Sequence, residues 1–121
     1  MLFITVDGDD IGQKISACYL NNDVESLSLL NEFVQSIVRK IADYLQSEGF
    51  KIIFCAADGV AGFIDLPDLD LARIYNRISN FSERQLTFSA GVGANLRESY
   101  FALSFAKSNG KARICQFKDL P

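Results

Sequence analysis

Three carboxylates crowd into the four positions Asp7-Gly8-Asp9-Asp10, directly after the apolar run Leu2-Phe3-Ile4-Thr5-Val6. Like charges that close repel, and a fold tolerates them best with a positive charge among them. A divalent cation at the mouth of a buried strand meets that need, because hard cations take oxygen ligands. A polar loop capping the next helix is the plainer reading, and this stretch alone does not separate the two. A fourth acid stands far along the chain in Ala56-Ala57-Asp58-Gly59. Asp-Gly is common in hairpins for purely conformational reasons. Placed beside Asp7, however, Asp58 completes a carboxylate pair at one sheet edge. Mg²⁺ is commonly held by one or two carboxylates together with substrate phosphates. Two such ions about 3.5–4 Å apart activate an attacking hydroxyl and stabilise a leaving phosphate oxygen. Gly8 and Gly59 leave room for close backbone approach.

Composition narrows the chemistry further. The chain has no histidine, which excludes Ser-His-Asp and Cys-His nucleophile systems, His-ligated zinc and histidine general bases. Carboxylates with a hard metal, lysine, arginine and backbone amides remain. The net charge of −3, with no basic run, argues against tight binding of long nucleic acid, whose affinity rests on phosphate neutralisation. The 121 residues, 49% of them hydrophobic, suit one domain spanning residues 1–121 with a real core. No stretch approaches the roughly 20 apolar residues of a membrane span. With a core strand beginning at residue 2, no signal or transit peptide is expected. Cys18, Cys55 and Cys115 form no CxxC pair and read as small reduced core residues, so a cytoplasmic protein is expected.

The elements that must position these residues follow from periodicity. The run 2–6 reads as a buried strand. Asp9 or Asp10 caps a short helix to about Tyr19. Asn21-Asn22-Asp23 breaks it and caps a longer one, with Leu27, Leu30, Phe33, Val34, Ile37, Val38, Ile41 and Leu45 as its apolar stripe. Gly49 stops that helix. Lys51 to Ala56 and Val60 to Ile64 form a hairpin around Asp58-Gly59. Pro67-Asp68 opens a helix, Gln85 to Gly93 is a strand, Tyr100 to Ser108 a helix closed by Asn109-Gly110, and Ala112 to Phe117 a last strand. The order β-α-β-β-α-β-α-β predicts an α/β (α+β) domain of the ferredoxin-like, split βαβ kind. There, strands of the two βαβ units lie side by side at the centre. The turn bearing Asp58 can then face the strand end at Asp7.

On these segments the chain resembles a known group of enzymes. Val6-Asp7-Gly8-Asp9-Asp10-Ile11-Gly12 resembles the DxDxxG segment of the palm domain in CRISPR type III polymerase subunits. It resembles, more loosely, the DxDxFK segment of GGDEF diguanylate cyclases. Phe54-Cys55-Ala56-Ala57-Asp58-Gly59 stands where those families carry GGDD or GGDEF. Ser89-Ala90-Gly91-Val92-Gly93 is similar to their SxGVA strand, and the stretch from Ala102 to Lys111 to the ALYxAKxxGR helix end. Four ordered pieces spanning nearly the whole chain make it look most like the minimal CRISPR polymerase (mCpol) family.

That resemblance implies roles residue by residue. Asp7 and Asp58 are the catalytic acids and bind two Mg²⁺ or Mn²⁺ ions, with the Gly8 carbonyl as a further ligand. Asp9 supports the metal site or holds the adjoining loop. The amides of Asp10, Ile11 and Gly12 cradle a triphosphate, as helix starts do for anions. Ala57 and Gly59 border the nucleotide at the turn. Lys107 and Lys111 neutralise phosphate charge, although a solvated helix end also favours cations there. Arg113 is a further phosphate candidate. Ala56-Ala57 in place of Gly-Gly narrows the room for nucleotide, and Gly59 removes the second acid. Ile15 and Val24 stand where GGDEF enzymes read guanine, which argues against guanine selection by that route, and similarity to the CRISPR palms implies ATP.

The expected function is thus a nucleotidyltransferase that joins NTPs into a cyclic di- or oligonucleotide with release of pyrophosphate. It would work as a homodimer in antiviral signalling, with a separate protein sensing the product. A mononucleotide cyclase, or a degenerate palm that only binds nucleotide or a partner, are the alternatives.

Overall fold

The apolar run after Met1 becomes the middle strand of a five-stranded sheet. This is seen in a computed structural model that describes residues 1–66 and 68–121. Strand β1 (Leu2–Gly8) is followed by helices α1 (Ile11–Leu20) and α2 (Val24–Ser47), then by β2 (Lys51–Ala56) and β3 (Gly59–Ile64). Helix α3 (Leu71–Asn80), β4 (Phe88–Gly93), α4 (Leu96–Ser108) and β5 (Ile114–Gln116) complete the order. The strands lie in the order β2-β3-β1-β4-β5. β1 is antiparallel to both β3 and β4, and β5 joins parallel to β4. This is the expected split βαβ arrangement with one strand added at an edge.

Alternation along β1 divides the molecule into two layers. Ile4 and Val6 are fully buried and belong to one apolar core with Val60, Phe88 and the α2 stripe from Val34 to Leu45. Ile74 and Ile78 of α3 close the same core. Thr5 and Asp7 point to the other face, where α4 packs. The Thr5 hydroxyl meets that of Ser99 on α4 at 3.0 Å. α4 turns a stripe of small residues and one leucine, Ser99, Ala102, Leu103 and Ala106, onto the sheet. It lies so close that a Cβ on Gly91 would stand 2.1 Å from the Leu103 nitrogen and 2.2 Å from the Ser99 carbonyl.

Local chemistry explains the element ends. The Asp23 carboxylate accepts from the Ser26 amide at 3.0 Å and caps α2 as expected. Asp10 precedes α1, but with φ 61 and no side-chain cap; neither Asp9 nor Asp10 caps this helix with its carboxylate. α3 begins at Leu71, later than expected, because Asp70 is its cap, accepting from the Arg73 amide at 3.0 Å. Pro67, expected to open this helix, lies outside the described residues.

β4 is shorter than Gln85–Gly93, since Gln85 donates back to Ser82 in a turn and Ser82 Oγ binds the Leu86 carbonyl. α4 starts at Leu96 rather than Tyr100. Asn95 caps it through the Glu98 amide, and Glu98 returns a bond from the Ala94 amide. β5 covers only Ile114–Gln116, because Lys111 and Ala112 turn the chain at φ 62 and 49. The three cysteines are unpaired, but half-buried rather than core residues.

Two substitutions test this packing. Gly91→Ala should destabilise by more than about 3 kcal/mol, since the helix backbone blocks a methyl group there. Ala57, in the β2–β3 turn at φ 51, should behave oppositely: Ala57→Gly relieves the left-handed strain and should stabilise by about 0.5–1 kcal/mol. Urea unfolding of the purified variants reads both.

Candidate active site

Residues 51–64 form a hairpin that brings Asp58 to the end of β1. Ala56 pairs with Gly59, leaving Ala57 and Asp58 as the two turn residues. β3 runs back beside β1 so that Asp7 stands between Gly59 on one side and Ser89 on the other. The Gly8 amide donates to the Asp58 carbonyl at 2.9 Å, tying the two segments together. A Cβ on Gly59 would sit 3.3 Å from Asp7 Oδ1, and one on Gly8 3.4 Å from Asp58 Cβ. The two acids, 51 residues apart, therefore share one end of the sheet. Burial pushes the Asp7 carboxyl above its ordinary value, and the charges of Asp58 and Asp9 add to this against the opposing bond from Lys107.

Asp9 has different surroundings. It is 2% exposed, and its oxygens accept from Ser89 Oγ and Thr87 Oγ1 at 2.7 Å each and from the Ala112 amide at 3.0 Å. Burial alone would raise its pKa. Bonds from Ser89, Thr87, Ala112 and Lys107 outweigh burial and hold it below the ordinary value. With both oxygens doubly engaged, Asp9 braces β1 against β4 and the chain entering β5. No acceptor position is left to turn toward a metal. Neither Thr87 nor the Ala112 amide was singled out from sequence. Ser89 was legible only as part of the SxG strand.

Two cations from the end of α4 reach the same place. Lys107 Nζ donates to the Gly8 carbonyl at 2.7 Å and lies 3.0 Å from Asp7 Oδ2 and 3.2 Å from Asp9 Oδ1. Burial works against its charge, but the two carboxylates outweigh it and raise the Lys107 pKa. Lys111 pairs with the Asp10 carboxylate. Arg113 is directed elsewhere: its Nε donates to the Lys111 carbonyl at 3.1 Å, bracing the turn at Gly110.

A cavity of about 740 Å³ opens between α1 and α2 and ends at Ala57 and Asp58. Ile11 and Gly12, at the start of α1, form part of its wall, so helix-start amides that lack an intrahelical acceptor lie beside it. Ile15, Leu27 and Val34 make it apolar, while Ser28, Asn31 and Gln35 form a polar stripe along α2. Gln35 donates to the Asn31 carboxamide oxygen at 3.3 Å. This stripe at i, i+3 and i+7 was visible in the sequence but looked like an ordinary solvated helix face.

The donor set suits a hard divalent cation. Two carboxylates, Asp7 and Asp58, and the Gly8 carbonyl offer oxygen only, and an ammonium group already stands at Asp7 and Gly8. Among the described residues, no group of three or more His, Cys, Asp and Glu side chains is arranged to hold an ion. Substrate phosphate and water would have to complete the shell, as is usual for Mg²⁺.

The two neighbouring acids should respond differently to substitution. Asp9→Ala strands the donors of Ser89, Thr87 and Ala112 and should cost about 3–5 kcal/mol. Because the folded pKa of Asp9 is depressed, its contribution is present above the ordinary value of 3.8 and is lost as pH falls through the folded value. Asp9→Asn should therefore flatten the acid limb of a stability–pH profile. Asp7 has a raised pKa, so its ionisation opposes folding near neutral pH, and Asp7→Asn should leave stability unchanged or higher.

No helix among the described residues is long and apolar enough to cross a membrane. The fold has counterparts among solved structures. The GGDEF domain of DgcB from Caulobacter crescentus, in complex with c-di-GMP, superposes with a TM-score of 0.75 at 12% identity, covering 98% of this chain and 78% of that one. The active GGEEF domain of a diguanylate cyclase from Vibrio cholerae gives 0.68 at 19% identity, covering 98% and 83%. No curated protein matches the chain. The model of the minimal CRISPR polymerase domain, mCpol, matches residues 3–117. With that match running from β1 through β5, and with the palm-type fold beneath it, the chain belongs to the minimal CRISPR polymerase family.

Proposed function

We propose that the protein is a metal-dependent nucleotidyltransferase that links two NTPs, ATP by preference, into a cyclic di- or oligonucleotide and releases pyrophosphate. The observation that carries this is the joining of two features at one point. A cavity large enough for a nucleoside ends at Asp58, beside the carboxylate pair, the helix-start amides and two lysines.

In this reading the base and ribose lie between α1 and α2. Ile15 and Val24 line that space as apolar side chains and offer guanine no hydrogen-bond partner. The amides of Asp10, Ile11 and Gly12 donate to phosphate oxygens, and Lys107 and Lys111 supply positive charge. Asp7, Asp58 and the Gly8 carbonyl would hold Mg²⁺ or Mn²⁺. Such cations, when bound, stabilise the charge that builds on phosphoryl oxygens. A ribose hydroxyl oxygen of one nucleotide forms a bond to the α-phosphorus of the other. The bond from that phosphorus to the oxygen bridging it to the β-phosphate breaks, pyrophosphate leaves, and the hydroxyl proton passes to solvent.

One cavity takes one nucleotide, so a second copy of the chain presents the other, as a twofold homodimer. A separate protein that senses the product, and a place in antiviral signalling, fit membership in this family. A nucleotide-binding module without turnover is the second reading. It is favoured by Ala57, whose Cβ is strained at a turn position where the related enzymes carry glycine.

Incubation with a mixed NTP pool and Mg²⁺ or Mn²⁺, read by pyrophosphate release and product mass, tests the proposal. Wild type should yield linked adenine nucleotides, and Asp7→Asn and Asp58→Asn should each lose about 10²-fold or more of the rate. A cyclic mononucleotide would reassign the enzyme, and tight nucleotide binding without product would favour the module.

A further inference from the structure

We propose that Lys107 locks the site against a bare metal ion, so that a divalent cation enters together with a triphosphate; this rests on the nucleotidyltransferase reading above. An ammonium group has three donors and no acceptor. Here Nζ donates to the Gly8 carbonyl at 2.7 Å and is ion-paired with Asp7 Oδ2 at 3.0 Å and Asp9 Oδ1 at 3.2 Å. Two of these partners, Asp7 and Gly8, are the oxygens a metal would need. Lys107 and the metal therefore compete for the same lone pairs, and as like charges they repel at that distance.

The third partner makes the lock hold. Asp9 is itself fixed by Ser89, Thr87 and the Ala112 amide, so it keeps Lys107 in place without moving. A metal ion arriving alone offers the displaced ammonium no new partner. A triphosphate offers anionic oxygens within reach of the flexible lysine stem, beside the α1 start where Lys111 is paired with Asp10. The nucleotide thus draws Lys107 off Asp7 and Gly8 and brings additional ligands for the metal. Linkage makes this coupling reciprocal.

Mn²⁺ binding followed by electron paramagnetic resonance or calorimetry tests the lock without reference to turnover. Wild type, Lys107→Gln and Lys107→Met are titrated alone and with a non-hydrolysable ATP analogue. Wild type should bind Mn²⁺ weakly alone. Each variant should bind it at least about tenfold more tightly alone and gain less than wild type when the analogue is added. Equal Mn²⁺ affinity in all three proteins without nucleotide overturns the lock while leaving the enzyme reading intact. Failure of all three to bind Mn²⁺ even with the analogue overturns both.

Acylation of Lys107 in the wild-type protein, read by mass spectrometry, keeps the proposal open to refutation should the variants unfold. Saturating Mn²⁺ alone should expel the ammonium and speed its acylation. Saturation with no change in Lys107 reactivity overturns the lock.

Discussion

Four carboxylates, Asp7, Asp9, Asp10 and Asp58, meet at one end of a sheet, and everything around them serves to make that tolerable. Their mutual repulsion is relieved by Lys107 and Lys111 from the end of α4 and by hydroxyl and amide donors. The relief is uneven. Asp9 is fully satisfied and its ionised form is favoured by the fold, whereas Asp7 is half-exposed and its ionised form is disfavoured. An acid stabilised as a brace has no acceptor to spare for a ligand. An acid left under electrostatic strain gains most when a stronger cation arrives.

The position of Lys107 depends in turn on how α4 is packed. Its helix lies directly on Gly91, where no side chain fits, and presents Ser99, Ala102 and Ala106 to the sheet. Small residues on both sides let the two backbones approach closely, and that proximity delivers a lysine from the last turn of α4 to the carbonyl of Gly8. Bulk added anywhere on this seam would lift the helix and withdraw the cation from the acids. Stability of the β4–α4 layer and the electrostatics of the site are therefore one constraint.

The other layer shapes space rather than charge. α2 commits Val34, Ile37, Val38, Ile41 and Leu45 to the core. Its N-terminal half, from Val24 to Gln35, lines together with α1 the cavity that ends at Asp58. The turn at that end holds Ala57 at positive φ, a local cost accepted where the chain must reverse tightly beside Asp7. Rigid core at one end of α2 and open cavity at the other put that cavity where the backbone is already fixed by packing.

Much of this was legible in the residues themselves. Alternating and helical periodicities located the strands and helices, Asp23 and Gly49 marked the ends of α2, and the order of elements implied the split βαβ sheet. Its geometry put Asp58 opposite Asp7. Less was legible where one particular side chain must find its partner, whether near or far in the sequence. Asp70 and Asn95 displaced the starts of α3 and α4 by a few residues, because capping depends on which side chain meets a free amide. The division of labour among Asp7, Asp9 and Asp10 could not be read from their spacing. It was decided by Thr87, Ser89, Lys107, Lys111 and Ala112, which lie 78 to 103 residues away. Sequence determined which acids are crowded together; only tertiary packing decided which donors reach each one, because a hydrogen bond or ion pair needs contact and contact across the sheet is set by α4 resting on β4.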